Sequence, residues 1–320
     1  MHANRRGRRG RRDFAEKSQI RSQHEKNSLD RSAINNELPV SRGSARPNYE
    51  IRPPSIFGFN LLANLSKLLQ YKDLVWTLSL HRIKVRYKQS VLGILWAFLQ
   101  PISMMLVFTF IFSLIARMPS EGIPYAIFAF TALLPWNYFS TSVSNGTNSL
   151  VKDSQFVTKV YFPREILPIT YIIAALFDFA IALILLACLM IYYQIALTAN
   201  LLYAVPILLV LTCFALAISL IFSATQVRFR DIGMAVPLLL QLWLFATPVI
   251  YPLSAVPARW RWLYELNPMV GIIESFRQIV LKGEPPDMRS LMFSAVISVI
   301  LLFISYLYFK RVEATMADFV

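Results

Sequence analysis

Several features common in enzymes are scarce or missing in this chain of 320 residues. There are two cysteines and three histidines, and the histidines all lie within the first 81 residues, so we expect no metal site. The sequence has no GxxxxGK[ST] phosphate loop, no HExxH pair, no paired-cysteine motif and no DxD pair. These gaps argue against a nucleotide-binding or metal-dependent enzyme, and we predict that the chain itself binds no cofactor.

Charge is missing from long stretches of the chain, and these stretches predict membrane spans. Six apolar runs reach the roughly 20 residues that cross a bilayer as a helix. They cover residues 91–116, 123–143, 166–193, 201–226, 232–251 and 290–309. The runs lack the two-residue alternation of a membrane β-barrel. We therefore predict an all-α membrane protein with six transmembrane helices.

Basic residues lie mostly on one side of these spans. With six crossings both termini share a side, which also holds 144–165 and 227–231. Twenty-six of the 32 Lys and Arg residues fall on that side. Because cytoplasmic loops carry an excess of Lys and Arg, we predict a multi-pass protein of the cytoplasmic (inner) membrane with both termini cytoplasmic.

The region before the first span divides into two parts. Residues 1–55 are basic and poor in apolar side chains, which predicts a disordered cytoplasmic tail. Residues 56–90 predict an amphipathic helix in the membrane interface, followed by a basic elbow. The basic side chains of the elbow are Arg82, Lys84, Arg86 and Lys88. They form either a stop-transfer charge cluster or a cationic collar for an anionic substrate at the cytoplasmic mouth.

The cytoplasmic connection 144–165 has helical periodicity. It predicts a short amphipathic helix over about 148–162 that ends before Pro163. This helix is either an interfacial loop or a docking element for a soluble partner. Its candidate contact residues are Leu150, Lys152, Asp153, Phe156, Val157, Lys159 and Tyr161.

An external loop over about 253–285 is rich in proline and aromatic residues, including Trp260 and Trp262. Its apolar run 269–281 is too short to cross the bilayer. We interpret the loop as a pair of re-entrant helices at the outer mouth, or as an interfacial aromatic belt with a surface helix.

Asp178 is the one clear charge inside a predicted span. Ionisable groups in lipid are costly and are candidates for function. The sequence gives Asp178 no partner carboxylate with which to run acid–base chemistry. It is therefore a protonated packing residue, a residue on a transport pathway, or a site of proton coupling.

Four short segments of the chain occur in an order that is specific to one protein family. The stretch YKQSVLGILWAFLQP at 87–101 enters the first span, and FPRE at 162–165 enters the third. Residues 227–231 separate the fourth and fifth spans, and an Asn-Pro pair at 267–268 precedes the sixth. In these segments the chain resembles the permease subunits of type-2 ABC exporters for cell-surface polysaccharides, which include the O-antigen, capsule and teichoic-acid exporters. The resemblance covers about 60–320.

This resemblance implies a half-transporter without enzymatic activity of its own. The permease would form a homodimer, and each copy would sit on a cytoplasmic ATPase subunit that binds ATP and Mg. Residues 91–320 would be the ABC-2 type transmembrane domain. Within it, 148–162 would be the coupling helix seated on the ATPase, and 253–285 would form the extracellular gate helices.

The resemblance also implies a substrate, a lipid-linked polysaccharide. The four basic elbow residues would attract its phosphate. Sugar rings stack on aromatic faces, so aromatic side chains would line the glycan path, although lipid-facing roles explain them equally well. The aromatic residues concerned are Trp96, Phe108, Phe112, Trp136, Tyr138, Trp260 and Trp262.

Three alternatives stay open at this point. The first is an ABC-2 exporter of another lipid or a drug. The second is a proton-coupled secondary transporter that uses Asp178, although such folds usually contain internal repeats that we do not find. The third is a membrane glycosyl- or phosphotransferase, against which the absence of an acidic cluster argues.

Overall fold

The computed structural model of the chain describes residues 69–88, 92–159, 162–313 and 316. Within these ranges the secondary structure is helical and contains no strands, as the apolar runs predicted. The predicted tail 1–55 and the first part of the predicted interface helix lie outside the described residues.

The described ranges contain eleven α-helices. They are α1 Lys72–Lys88, α2 Leu95–Phe108, α3 Tyr125–Thr147, α4 Ser149–Lys152, α5 Ser154–Lys159, α6 Ile166–Tyr192, α7 Ala204–Arg228, α8 Ile232–Phe245, α9 Ala258–Glu265, α10 Pro268–Arg277 and α11 Met288–Glu313. Helices α2 and α10 continue as π-helical turns, Thr109–Ile115 and Gln278–Lys282.

Four helical segments of the described chain are long and apolar enough to cross a bilayer. They are Leu95–Ile115, Ile166–Tyr192, Ala199–Arg228 and Met288–Glu313. These segments coincide with the first, third, fourth and sixth predicted spans.

The second and fifth predicted spans correspond to helices α3 and α8, of which the first is more polar and the second is shorter than the other spans. Helix α3 has 23 residues, but its second half carries polar side chains such as Asn137 and Asn145. Helix α8 has 14 residues and is about 21 Å long, less than the thickness of the hydrocarbon layer. The helix predicted over 232–251 therefore ends early, and the chain turns from residue 246.

Helix α3 forms the centre of the packing, where it contacts α6 and α7, and α7 in turn packs on α11. Phe139 of α3 is fully buried. Its ring stacks on Phe214 of α7 with centroids 5.2 Å apart and meets Trp243 of α8 edge-on at 5.3 Å. Close packing of this kind holds helices together in a membrane, because the hydrophobic effect contributes little to helix association in lipid.

Helix α2 lies at the periphery of the single chain. Along α2 and its π-helical turn, all of which the structure describes, Met105 is the one buried side chain. Much of the apolar surface of this segment is exposed, and Leu106, Phe110, Leu114 and Ile115 are each more than half exposed.

Removing the Phe139 ring should loosen the centre of the fold. Phe139→Ala is expected to lower the free energy of unfolding by about 3–5 kcal/mol, because it would leave a cavity beside Trp136, Phe214 and Trp243. The control is Phe110→Ala on α2, where the side chain is 59% exposed and little change is expected. Thermal unfolding of the purified chains in detergent, followed by tryptophan fluorescence, would measure the difference. Equal losses in the two variants would contradict this account of the core.

Candidate functional site

A cavity of about 500 Å³ lies between α1, α2, α3 and α6. Its wall combines aromatic side chains with amide and hydroxyl groups. The lining includes Arg86, Tyr87, Trp96, Gln100, Phe130, Asn137, Tyr138, Thr141, Asn145, Asp178 and Phe179. Four residues predicted from sequence meet here, namely Arg86, Trp96, Tyr138 and Asp178. The site can therefore offer hydrogen bonds and flat apolar faces to the same ligand.

The charged group of this cavity is an ion pair. Arg86 of α1 forms a salt bridge with Asp178 of α6, and the Tyr87 hydroxyl donates a hydrogen bond of 2.5 Å to Asp178 Oδ1. Burial, reinforced by that hydrogen bond, raises the pKa of the Tyr87 phenol to about 12, so it stays protonated and can donate. The sequence did not predict this pairing, in which α1 brings a cation and a hydroxyl to Asp178.

Arg82 joins α1 to the connection between α3 and α6 instead of lining the cavity. Its Nη2 forms a salt bridge of 2.7 Å with Asp153, and its Nε donates to Thr170 Oγ1 at 2.8 Å. The guanidinium also lies 3.5 Å from the centroid of the Tyr171 ring. The predicted elbow is thus the last two turns of a helix, and Arg82 ties that helix to two other elements.

Lys84 and Lys88 differ from the two arginines. Both side chains are exposed, and neither forms an ion pair with another described residue. Of the four predicted collar residues, these two present their charges outward.

The predicted path aromatics separate into three groups. Trp96 and Tyr138 line the cavity, and the Tyr138 hydroxyl lies 3.0 Å from Thr212 Oγ1. Trp136 is buried in the core. Phe108 at the end of α2 and Phe112 in its π-helical turn form a T-shaped pair, 5.7 Å between centroids, that packs partly buried against the core. The cavity therefore brings together two of these five residues.

The predicted coupling helix 148–162 is divided in two. Helices α4 and α5 meet at Asp153, whose φ of −102° and ψ of 27° are not helical. Leu150 and Val157 are buried, whereas Lys152 and Phe156 are exposed. Lys159 ends α5, and Tyr161 lies outside the described residues. The segment thus buries one side and exposes a side with an aromatic residue.

The predicted gate loop contains α9 and α10, with Trp260 and Trp262 exposed on α9. Sequence reasoning missed the role of Arg277, which is 3% exposed. Its Nη1 donates to the Pro248 carbonyl at 2.8 Å and its Nη2 to the Val249 carbonyl at 2.6 Å. Its guanidinium also lies 3.9 Å from the centroid of the Phe128 ring. Arg277 therefore satisfies the backbone where α8 stops.

In the part of the chain that the structure describes, no three His, Cys, Asp or Glu side chains gather as a metal site requires. The chemistry available at the cavity is therefore hydrogen bonding, aromatic contact and one paired charge.

The sequence was compared with known proteins. Residues 73–281 match the family model for the ABC-2 type transporter. The O-antigen export system permease protein RfbA of Myxococcus xanthus is 37% identical over 256 residues, 79% of this chain and 97% of that protein. RfbA of Klebsiella pneumoniae is 30% identical over 212 residues, 66% of this chain and 81% of that protein. The polysialic acid transport protein KpsM of Escherichia coli is 29% identical over 257 residues, 77% of this chain and 96% of that protein.

The matched region runs from α1 through the turn after α10, so it contains the cavity, both arginine contacts of α1 and the divided α4–α5 segment. The family model covers well over half of the chain, and the first of these relatives is aligned over nearly its whole length. The chain belongs to the ABC-2 type transporter family.

Proposed function

We propose that this chain is the transmembrane permease of an ATP-driven exporter that moves a lipid-linked cell-surface polysaccharide across the cytoplasmic membrane. The observation that carries the proposal is the near full-length similarity to a protein named as an O-antigen export permease. The cavity beside α1 agrees with it, since amides, hydroxyls and aromatic faces are groups that bind sugars.

The proposed topology has six spans, with α3 and α8 as the second and fifth. Helix α8 is short for a span, and the turn that Arg277 holds continues it toward the outer surface. Helices α9 and α10 would enter the outer leaflet without crossing it and form the gate. The excess of Lys and Arg in the tail, the 144–165 connection and both ends supports a cytoplasmic position for the two termini.

Two kinds of partner would complete the transporter. A second copy of the chain would cover apolar surface that the single chain leaves open, above all on α2. An ATPase subunit that binds ATP and Mg would sit on the exposed side of α4 and α5, where Phe156 projects outward. The chain itself would form the transport path and would not hydrolyse ATP.

The contacts of α1 suggest how ATP hydrolysis by the partner subunit would be coupled to the transport path. Arg82 and Arg86 are four residues apart and therefore lie on the same side of α1, about one turn from each other. Arg82 holds the junction of α4 and α5 through Asp153, and Arg86 holds the cavity wall through Asp178. A push on the α4–α5 segment would shift α1 and so change the cavity, by the small sliding that packed helices allow.

The lipid phosphate would meet the two lysines rather than the two arginines. Lys84 and Lys88 are exposed on the same helix that borders the cavity. The arginine charges are already compensated by Asp153 and Asp178. The phosphate would stay near the end of α1 while sugar units enter the cavity, with the other predicted aromatics farther along the path.

The proposed function is tested in the host cell. Deleting the gene should abolish surface polysaccharide and cause the lipid-linked polymer to accumulate inside. Full-length protein should copurify with an ATPase subunit, and a hydrolysis-deficient ATPase should reproduce the deletion. Accumulation of another lipid or of a drug, with surface polysaccharide intact, would favour that substrate instead. Transport that needs no ATPase, and that Asp178→Asn abolishes, would favour the proton-coupled alternative.

Phe156 is expected to anchor the ATPase. Its side chain is 44% exposed on α5, and loss of a central aromatic contact typically costs about 2 kcal/mol, or about thirtyfold in affinity. Phe156→Ala should therefore reduce copurification of the ATPase. The matched control is Phe229→Ala, which removes a 57% exposed Phe from the other cytoplasmic connection. Equal loss in both variants, or no loss with Phe156→Ala, would count against this docking surface.

Arg82 is expected to couple hydrolysis to transport. Arg82→Gln should leave the ATPase bound and active but lower export about fivefold or more, the range of a typical coupling energy. ATP turnover of the purified complex and surface polysaccharide in cells would be measured side by side. Arg230→Gln removes a charge from the connection between α7 and α8 and should change neither readout. If Arg82→Gln lowers both readouts in proportion, Arg82 serves assembly rather than coupling.

A further inference from the structure

The FPRE segment at 162–165, to which the proposed function gives no role, is bonded to the last turn of α11. Glu165 is 2% exposed, and its Oε2 forms a salt bridge of 2.7 Å with Lys310 of α11. Arg164 donates from its backbone amide to Glu313 Oε1 at 3.0 Å and from Nη1 to the Glu313 carbonyl at 2.7 Å. Lys310 also pairs with Glu313 at 2.8 Å. These four residues form a network, called the α11 clamp, between the start of α6 and the end of α11.

An apolar cluster joins the same end of α11 to the α4–α5 segment. Phe309, the residue before Lys310, is fully buried, and so is Leu150 of α4. Both belong to a cluster that also contains Val157 of α5 and Phe162 of the FPRE segment. The buried side of the α4–α5 segment therefore packs in one cluster with the part of α11 that the clamp holds.

Helix α11 lacks the usual sites of bending. It has 26 residues and is therefore about 39 Å long. Sharp kinks in helices occur mostly at proline, at glycine–serine pairs and at π-bulges. Among the four long apolar segments of the described chain, α11 contains neither proline nor glycine, whereas the other three include Pro101, Pro168 and Pro206. A displacement at one end of α11 should therefore reach its other end.

The other end of α11 packs closely on α10. A Cβ on Gly271 of α10 would lie 2.7 Å from the Ser290 carbonyl oxygen, closer than Cβ atoms approach in proteins. Ser294, one turn further along α11, is buried. Small residues at such a contact let two helix backbones come together in a membrane. Helix α11 thus contacts the α4–α5 cluster at one end and α10 at the other.

We propose that α11 transmits movement of the α4–α5 segment to α10, so that nucleotide binding by the ATPase changes the outer gate. Glu165 and Lys310 are positioning residues that attach the end of α11 beside the surface on which the ATPase would sit. This route is separate from the one through Arg82, which leads from the α4–α5 junction to the cavity. The ATPase and the outer position of α10 rest on the proposed function.

Hydrogen exchange tests the proposal on the full chain in complex with its ATPase in phosphatidylcholine nanodiscs. Exchange is followed by mass spectrometry without nucleotide and after trapping with ATP and vanadate. Amide exchange reports local opening of helices. Trapping should therefore change the exchange of residues 258–277, which form α9 and α10.

The test variant is the double substitution Glu165→Gln with Lys310→Met. It removes both charges together, because a single substitution would leave an unpaired buried charge and endanger folding. The double variant should lose the exchange response of α9 and α10 and lower surface polysaccharide about fivefold or more, the range of a typical coupling energy. Thermal stability, ATPase copurification and ATP turnover should stay as in the unaltered complex.

Two further variants separate the clamp from its surroundings. Arg311→Gln is the matched control, since it removes an exposed charge that forms no ion pair with another described residue from the same turn of α11. It should leave the exchange response intact. Gly271→Ala should abolish the response at the other end, because the added Cβ would separate α10 from α11 while the clamp stays unaltered.

The proposal is overturned if α9 and α10 respond in the double variant as in the unaltered complex, or if they fail to respond even in the unaltered complex. It is also overturned if the double variant and Arg311→Gln act alike. Loss of thermal stability together with ATPase binding in the double variant would assign the clamp to folding alone. A complex without an ATPase would remove the proposed function itself, whereas an unresponsive gate with normal ATP-dependent export would remove only the role of α11.

Discussion

The cost of burying charge in an apolar molecule determines where the helices of this chain meet. Arg82 meets Asp153, and Arg86 meets Asp178, so α1 is attached to the α4–α5 junction and to α6 by paired charges. Arg277 has backbone carbonyls as its acceptors at the point where α8 stops. An unpaired charge at Arg82 or Arg277, whose side chains are 12% and 3% exposed, would carry a desolvation penalty of several kcal/mol, so these two contacts are strong constraints on helix position, whereas Arg86 is 35% exposed and its ion pair constrains the helices less.

The membrane-spanning character of the chain was predictable because it depends on local composition. Four predicted spans coincide with long apolar helices. The partner of Asp178 was not predictable, since Arg86 is 92 residues away and sequence spacing holds no information on which distant helices pack together. The basic stretch around Arg86 was interpreted as an elbow, and its helical form is what directs Arg82 and Arg86 to the same side.

Helix lengths were less predictable than helix positions. Apolar composition alone extended the fifth span to residue 251, whereas the helix ends at Phe245, and Arg277 binds carbonyls of the turn that follows. In the same way, periodicity predicted one amphipathic helix over about 148–162, and the pairing of Asp153 with Arg82 accompanies a break at that residue. In both segments a contact from a distant residue accompanies a helix end that local pattern did not predict.

The spacing of the two arginines on α1 has a consequence for how this region can change over time. An α-helix turns by about 100° per residue, so one residue inserted or deleted between positions 82 and 86 would rotate one arginine away from its carboxylate. Substitutions elsewhere on α1 leave this geometry intact. Variants of the transporter can therefore differ in the composition of this helix more readily than in the number of residues between positions 82 and 86.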